Sequence, residues 1–141
     1  MKLKPNLSTR SEQPGREAAE LFVLGGEHVG AAVARRLRAH GHDVALVDEV
    51  HEPSDIPVQQ GNPADARTLG EAGVSSASTV VVATPCDSRN LLVAQLARTH
   101  FDVSRAVVLA SVPDRCELLT AAGHEPVCAT TALSTEIVDK I

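Results

Sequence analysis

The chain is nearly devoid of aromatic residues, with two phenylalanines, no tyrosine and no tryptophan in 141 residues. The lack of tyrosine excludes tyrosine-based acid–base chemistry, including the Tyr-Lys pair of short-chain dehydrogenases. With so few aromatic faces there is no stacking platform for single-stranded nucleic acid. Lysine is confined to Lys2, Lys4 and Lys140, and the formal net charge is −5. The basic footprint of a nucleic-acid binder is therefore missing. Three cysteines, Cys86, Cys116 and Cys128, form no C-x-x-C pair. An odd, widely spaced set fits a reducing cytoplasm better than a disulfide framework. No apolar run approaches the roughly 18 residues of a membrane span. The opening MKLKPNLSTRSEQPGRE has no apolar core of a secretory signal.

What is present is ordinary for a soluble domain: 43% hydrophobic and 22% charged residues. At this length one domain is expected, burying about two-thirds of its extended surface. Residues 1–17 are polar and rich in Pro, Ser and charge, and are read as a disordered lead-in to one domain over 18–141.

From there two periods alternate. Leu21–Leu24 is a continuous apolar run and reads as a buried strand. Val29, Val33 and Leu37 follow at helical spacing and predict a helix buried on that face, stopped by Gly41. Val44–Val47 is a second strand, ending at Asp48. Ile56–Gln59 is a weaker third strand, whose Pro57 fits a strand start or an edge. Asn62-Pro63 predicts a helix over Ala64–Glu71, with Asn62 as its cap and Pro63 in its first position. Thr79–Ala83 is a fourth strand. Asp87–His100 is a helix with Leu92 and Leu96 inward. Ala106–Ala110 is a fifth strand. Asp114–Ala122 is a helix capped by an Asp114-x-x-Glu117 pair and stopped by Gly123. Pro126–Ala129 and Thr131–Lys140 complete the pattern as strand and helix. Apolar rather than alternating strands, joined by short connections through helices, define an α/β fold. It is a Rossmann-like, doubly wound parallel sheet of about six strands with helices on both faces.

In such sheets ligands bind beyond the carboxyl ends of the strands, where the strand order reverses. The first strand-to-helix turn is Gly25-Gly26-Glu27-His28-Val29-Gly30. Gly25 and Gly30 match the first and third glycines of the G-x-G-x-x-G dinucleotide fingerprint, and Glu27 takes the place of the second. Asp48 follows Gly30 by 18 residues, near the roughly 20 expected of a carboxylate that holds a ribose. An acid there favours free ribose hydroxyls over a 2′-phosphate. Each residue also has a plain structural reading: Gly25 as a tight turn, Gly30 as close helix packing, Asp48 as a solvated strand end. Glu27 stands where a pyrophosphate would approach, and repulsion from a carboxylate is roughly 1 kcal/mol at about 4 Å in water and roughly 4 at an effective dielectric of 20.

Four stretches together carry a resemblance: LFVLGGEHVGAAVARRLRAHGHDVALVD, VQQGNPADARTLGEAGVSSASTVVVAT, CDSRNLLVAQLAR and AVVLASVPDRCELLTAAG. The ordered set, with G-N-P-x-D, L-x-E-A-G-V and T-x-x-D-x-x-N, resembles the N-terminal nucleotide-binding domain of RCK/KTN (TrkA-type) regulators of potassium uptake and potassium channels. It spans about residues 20–130. The resemblance implies a regulatory module, not an enzyme, that binds NAD(H) or an adenine nucleotide. It further implies a homo-oligomer, a dimer or larger. It places the chain in the cytoplasm, at the inner face of the membrane where it meets a potassium transporter subunit. By the same resemblance Gly25, Gly26, Glu27, His28, Val29 and Gly30 form the phosphate loop, and Asp48 holds the ribose beside Glu49. Gly61 and Asn62 fall beside the adenine, where the family has Gly-Asp, and Asn62 also reads as a helix cap. Thr84 and Asn90 fall near the distal phosphate or ribose.

Other chemistry is thinly represented. Cys86 sits in a loop at the mouth of the expected cleft, with no base beside it in sequence to activate it. Cys116 and Cys128 read as small core residues. His40 and His42 are too few ligands for zinc, and no metal site is expected. Two readings compete with nucleotide sensing. One is a degenerate Rossmann scaffold that binds no nucleotide and acts through dimerisation or partner contact. The other is a small dehydrogenase or methyltransferase, for which no acid–base pair is in evidence.

Overall fold

The computed structural model of the chain describes residues 19–50 and 53–141; the lead-in expected over 1–17 lies outside the described residues. Six strands form one sheet: β1 (Leu21–Leu24), β2 (Val44–Asp48), β3 (Val58–Gln60), β4 (Thr79–Val82), β5 (Arg105–Ala110) and β6 (Glu125–Cys128). The order is β3-β2-β1-β4-β5-β6, and every pairing is parallel. The helices are α1 (Glu27–Ala39), α2 (Ala66–Ala72), α3 (Asp87–His100), α4 (Pro113–Ala121) and α5 (Ala129–Asp139). The strand order reverses between β1 and β4, as in dinucleotide-binding sheets. This is the fold that the alternating apolar runs predict.

The sheet carries a core on each face because successive strand residues point to opposite sides. Phe22, Leu24, Val47, Val80, Val82 and Val108 pack with Leu69 of α2, Val93, Ala94 and Ala97 of α3, and Leu119 of α4. Leu21, Val23, Val44 and Leu46 pack on the other face against Ala31 and Ala34 of α1 and against Ile56. Beyond β4 that second face loses its cover. Val107 and Leu109 of β5 are half-buried, and Val127 of β6 is 44% exposed.

Several local expectations are corrected. In α1 the buried residues are Gly30, Ala31 and Ala34, while Val33 and Leu37 are half-buried and Val29 is 55% exposed. In α3 the buried apolar residues are Val93, Ala94 and Ala97, and Leu92 is exposed. The cause is the same in both helices. Small residues let a helix axis approach the sheet, so the alanine stripe takes the contact and the larger side chains flank it. Helix α2 starts at Ala66 rather than Ala64, capped by Asp65, whose side chain accepts from Arg67 N–H. Asn62 instead closes a turn: its Oδ1 accepts from Ala64 N–H at 2.9 Å, and Pro63 lies in that turn. Helix α4 opens on Pro113 with Val112 at the cap position and no side-chain cap, so Asp114 lies inside its first turn and the Asp114–Glu117 cap does not form. The third strand begins at Val58 because Ile56 is drawn under α1. The sixth ends at Cys128, and α5 starts at Ala129, two residues earlier than expected.

His124, between α4 and β6, is buried. Its Nε2 meets Gln95 Oε1 at 3.1 Å, and its Nδ1 has no hydrogen-bond partner among the described residues. Burial, and then the charge of Arg98, push its pKa below the ordinary histidine value. The unfolded chain therefore takes up this proton more readily than the folded one. The contribution to stability is complete above about pH 6.5 and is lost as pH falls through the lowered folded-state value. His124→Gln is expected to flatten the decline of the thermal midpoint on acidification below about pH 6.5; a decline as steep as in the parent chain would assign it to other groups.

Candidate functional site

At the carboxyl ends of β1, β2 and β4 the chain forms a small crevice of about 50 Å³, bordered by Gly25, Gly26, Glu27, Asp48, Thr84 and Arg89 among others. It lies at the point where the strand order reverses. A larger cavity of about 390 Å³ sits over β1–β3, between Phe22, Ala45 and Ala72. The glycine turn and the acid do not border it, so the chemistry belongs to the smaller crevice.

The turn after β1 is shaped by positive backbone angles. Gly25 (φ +79), Gly26 (φ +100) and Glu27 (φ +48) take them in succession. Gly26 occupies the cap position of α1 with no side-chain cap, so the positive end of the helix faces the crevice. A Cβ on Gly30 would lie 2.0 Å from the Gly25 carbonyl oxygen. Only glycine lets α1 leave the strand at this angle. Glu27 is the irregular member, a side-chain-bearing residue in the left-handed region, where non-glycine residues are strained by roughly 1–2 kcal/mol.

Asp48 ends β2 with 2% of its surface exposed. Its Oδ2 accepts from Glu27 N–H at 2.9 Å, and its Oδ1 accepts from Val50 N–H at 3.0 Å. The carboxylate thus binds the first N–H of α1 from a neighbouring strand and fixes the glycine turn.

The far wall is built by α3. Arg89 Nη2 donates to Glu49 Oε1 at 2.7 Å and to Asn62 Oδ1, tying α3 to the loops after β2 and β3. Thr84 is 4% exposed and Asn90 fully buried. Asn90 Oδ1 accepts from Thr84 N–H at 3.1 Å and from the Thr84 hydroxyl. Its Nδ2 donates to the carbonyls of Thr84 at 2.8 Å and Leu109 at 2.9 Å. The amide is consumed in joining the ends of β4 and β5.

Of the residues singled out from sequence, Gly25, Gly26, Glu27, Asp48, Glu49 and Thr84 border the crevice. His28 and Val29 lie exposed in the first turn of α1, and Gly30 and Asn90 are buried behind the wall. Gly61 N–H donates to the Asp48 carbonyl at 3.0 Å, and Asn62 stands at the rim through Arg89. Sequence reasoning missed Arg89. Its signal was present: a guanidinium in the first turn of the helix after β4, flanked by the Asp87 and Asn90 of the T-x-x-D-x-x-N pattern. Among the described residues no group of three or more His, Cys, Asp or Glu side chains is arranged to hold a metal, and no helix is long and apolar enough to cross a membrane.

A parallel sheet ordered 3-2-1-4-5-6, a glycine turn into α1 and an acid closing β2 define a Rossmann-type nucleotide-binding fold. Residues 21–130 match the family model of the TrkA-N domain, and the chain belongs to that family. It is 30% identical over 128 residues to a Trk system potassium uptake protein TrkA homolog of Methanothermobacter thermautotrophicus, covering 86% of this chain and 59% of that protein. The chain thus spans somewhat over half of that relative's length. Among solved structures it resembles the NAD(P)-binding domain of an exopolyphosphatase-related protein from Archaeoglobus fulgidus, with a TM-score of 0.71 and 25% identity, covering 86% of this chain and 96% of that one. It also resembles the GsuK channel bound to NAD, with a TM-score of 0.72 and 28% identity, covering 85% of this chain and 22% of that one. GsuK has also been solved bound to ADP.

Proposed function

We propose that the chain is a regulatory module that binds NAD(H) or an adenine nucleotide in the β1–β4 crevice and passes its occupancy to a potassium-transport partner. The observation that carries the reading is the buried Asp48 carboxylate, held at 2.9 Å on the first N–H of α1 beside the glycine turn. In this reading Gly25–Gly30 is the phosphate loop, with the α1 terminus attracting the anion. Asp48 accepts from the ribose hydroxyls, with Glu49 beside it on Arg89. Gly61 and Asn62 flank the adenine, and Thr84 faces the distal phosphate or second ribose. Asn90 acts at one remove by fixing Thr84. Binding rather than catalysis is supported by the relatives, a Trk system potassium uptake protein homolog and a channel solved bound to NAD.

Self-association is part of the proposal. Helix α5 buries no residue, Leu133 and Ile137 are each 62% exposed, and the neighbouring face of β5 and β6 is uncovered. Apolar surface of this extent on a small domain favours a contact with another copy. The TrkA homolog supports a potassium-uptake context, and a cytoplasmic location against a membrane partner follows from that context.

The chain suits a direct test, because without tyrosine or tryptophan it absorbs little in the near ultraviolet. Purified without aromatic tags, it is expected to show a nucleotide band near 260 nm that is released on denaturation and identified by mass, with a 340 nm shoulder if the ligand is NADH. Asp48→Ala is expected to lose the band. A band retained in full by Asp48→Ala would remove Asp48 from the site. One observation favours the scaffold reading, the strained Glu27 at the second-glycine position (φ +48). That reading predicts a featureless spectrum for the parent chain and nucleotide binding only in Glu27→Gly.

A further inference from the structure

Arg89 reaches across the crevice from the first turn of α3. Its Nη2 donates both to Glu49 Oε1, at 2.7 Å, and to Asn62 Oδ1. Glu49 follows β2 and Asn62 follows β3, so one guanidinium joins three segments at the carboxyl ends of the strands. Among the described residues that border the crevice Arg89 is the one cation, beside the acids Glu27, Asp48 and Glu49.

The bridge is held more loosely than its frame. The start of α3 is fixed, because Asp87 Oδ1 accepts from Ser111 N–H at 3.0 Å and from its hydroxyl at 2.9 Å. The fully buried Asn90 ties the same turn to Thr84 and Leu109. The bridging side chains are partly open to solvent, Arg89 by 31% and Glu49 by 46%, and an ion pair so exposed contributes little. Its release leaves no buried group unpaired. Glu49 turns to water, and Asn62 Oδ1 keeps its 2.9 Å bond from Ala64 N–H. The Arg89 side chain can therefore swing while the backbone around it stays in place.

With the bridge made, the crevice measures about 50 Å³. Pockets that take small-molecule ligands start at roughly 300 Å³, so a nucleotide does not fit beneath the closed bridge.

We propose that Arg89 is a strap that closes the crevice of the ligand-free chain, and that a nucleotide enters only when the guanidinium lets go of Glu49 and Asn62. The strap rests on the nucleotide-binding reading of this crevice and adds a control to it. In that reading Glu49 and Asn62 flank the ribose and the adenine, so the strap guards the half that NAD(H), ADP and the other adenine nucleotides share. Apparent affinity falls by the fraction of chains standing open. Charge alone assigns Arg89 the opposite role, since a lone cation among acids should draw an anion in. The two accounts differ in the sign of one substitution.

The test passes NADH and ADP, whose adenosine halves are unmodified, over the immobilised full chain and reads association and release by surface plasmon resonance. In Arg89→Ala, and in Arg89→Met, which keeps the aliphatic stem, association is expected to be about fivefold faster than in the parent chain, with release unchanged within about twofold. In a Glu49→Ala background, where the strap has already lost one anchor, Arg89→Ala is expected to gain less. Binding seen only in the Arg89 variants would support the strap in its tightest form. Association that is slower or unchanged in both Arg89 variants would overturn the strap and leave the nucleotide reading standing. Faster release with unchanged association would also overturn it, by making Arg89 a direct contact of the ligand. If neither probe binds the parent chain or any variant, the nucleotide reading falls and the strap with it.

Discussion

Gly30→Ala is expected to lower the thermal unfolding midpoint by roughly 10 °C and to abolish nucleotide binding. The added Cβ would stand 2.0 Å from the Gly25 carbonyl oxygen and 3.1 Å from its carbon. Both neighbours are backbone, so no rotamer change relieves the contact. Either α1 moves off β1 or the turn at Gly25 opens. The first opens space beside Ala31 and Ala34, which are fully buried against the sheet. The second breaks the 2.7 Å bond from Gly25 N–H to the Val47 carbonyl. Overpacking of this kind costs about 3 kcal/mol at the upper end of its usual range, and for a chain of this size each kcal/mol moves the midpoint by a few degrees. Because the same turn aims the α1 terminus at the crevice, stability and binding should fail together. A variant that melts within about 2 °C of the parent chain would show that α1 does not approach the strand this closely.

Glu27→Gly is expected to act in the opposite direction on both properties. Glycine takes the positive φ of +48 seen at this position without the strain a side chain incurs there, although it loses more entropy on folding. The net gain in stability is expected to reach at most about 1 kcal/mol. The larger effect is on binding. Glu27 borders the crevice, and its side chain is exposed, so its repulsion of a bound phosphate is set by the high-dielectric end of the scale, about 1 kcal/mol at about 4 Å. Removing it should tighten nucleotide binding about fivefold, with a weaker dependence on salt. Unchanged or weaker binding would mean that the Glu27 carboxylate points away from the phosphates or contributes a contact of its own. The backbone N–H that meets Asp48 survives this substitution, so the turn should keep its form.

The strands were legible because buried parallel strands are short, continuous apolar runs, and Leu21–Leu24 and Thr79–Val82 have nothing else to be. The helix faces were less legible. A stripe of alanines carries little hydrophobic signal, yet Ala31, Ala34, Ala94 and Ala97 make the closest contacts with the sheet, while the more apolar Val29 and Leu92 face solvent. Helix starts shifted where two capping residues competed. Asn62 and Asp65 are both good caps, and the turn closed by Asn62 leaves the helix to Asp65. At the crevice, spacing located the glycine turn and Asp48 because the strand ends fix both. It did not reveal that Asn90 is used up within the wall, nor that Arg89 reaches across to Glu49, since both depend on contacts between segments far apart in sequence.

The central claim is that the β1–β4 crevice holds an adenine-containing nucleotide. Equilibrium dialysis of the purified chain against NAD, NADH, ADP, ATP and AMP tests it most directly, read at 260 nm where a chain with only two phenylalanines contributes little. Saturable binding of at least one of these, near one per chain and with a dissociation constant below millimolar, is the predicted result. Failure of all five to bind below millimolar would contradict it.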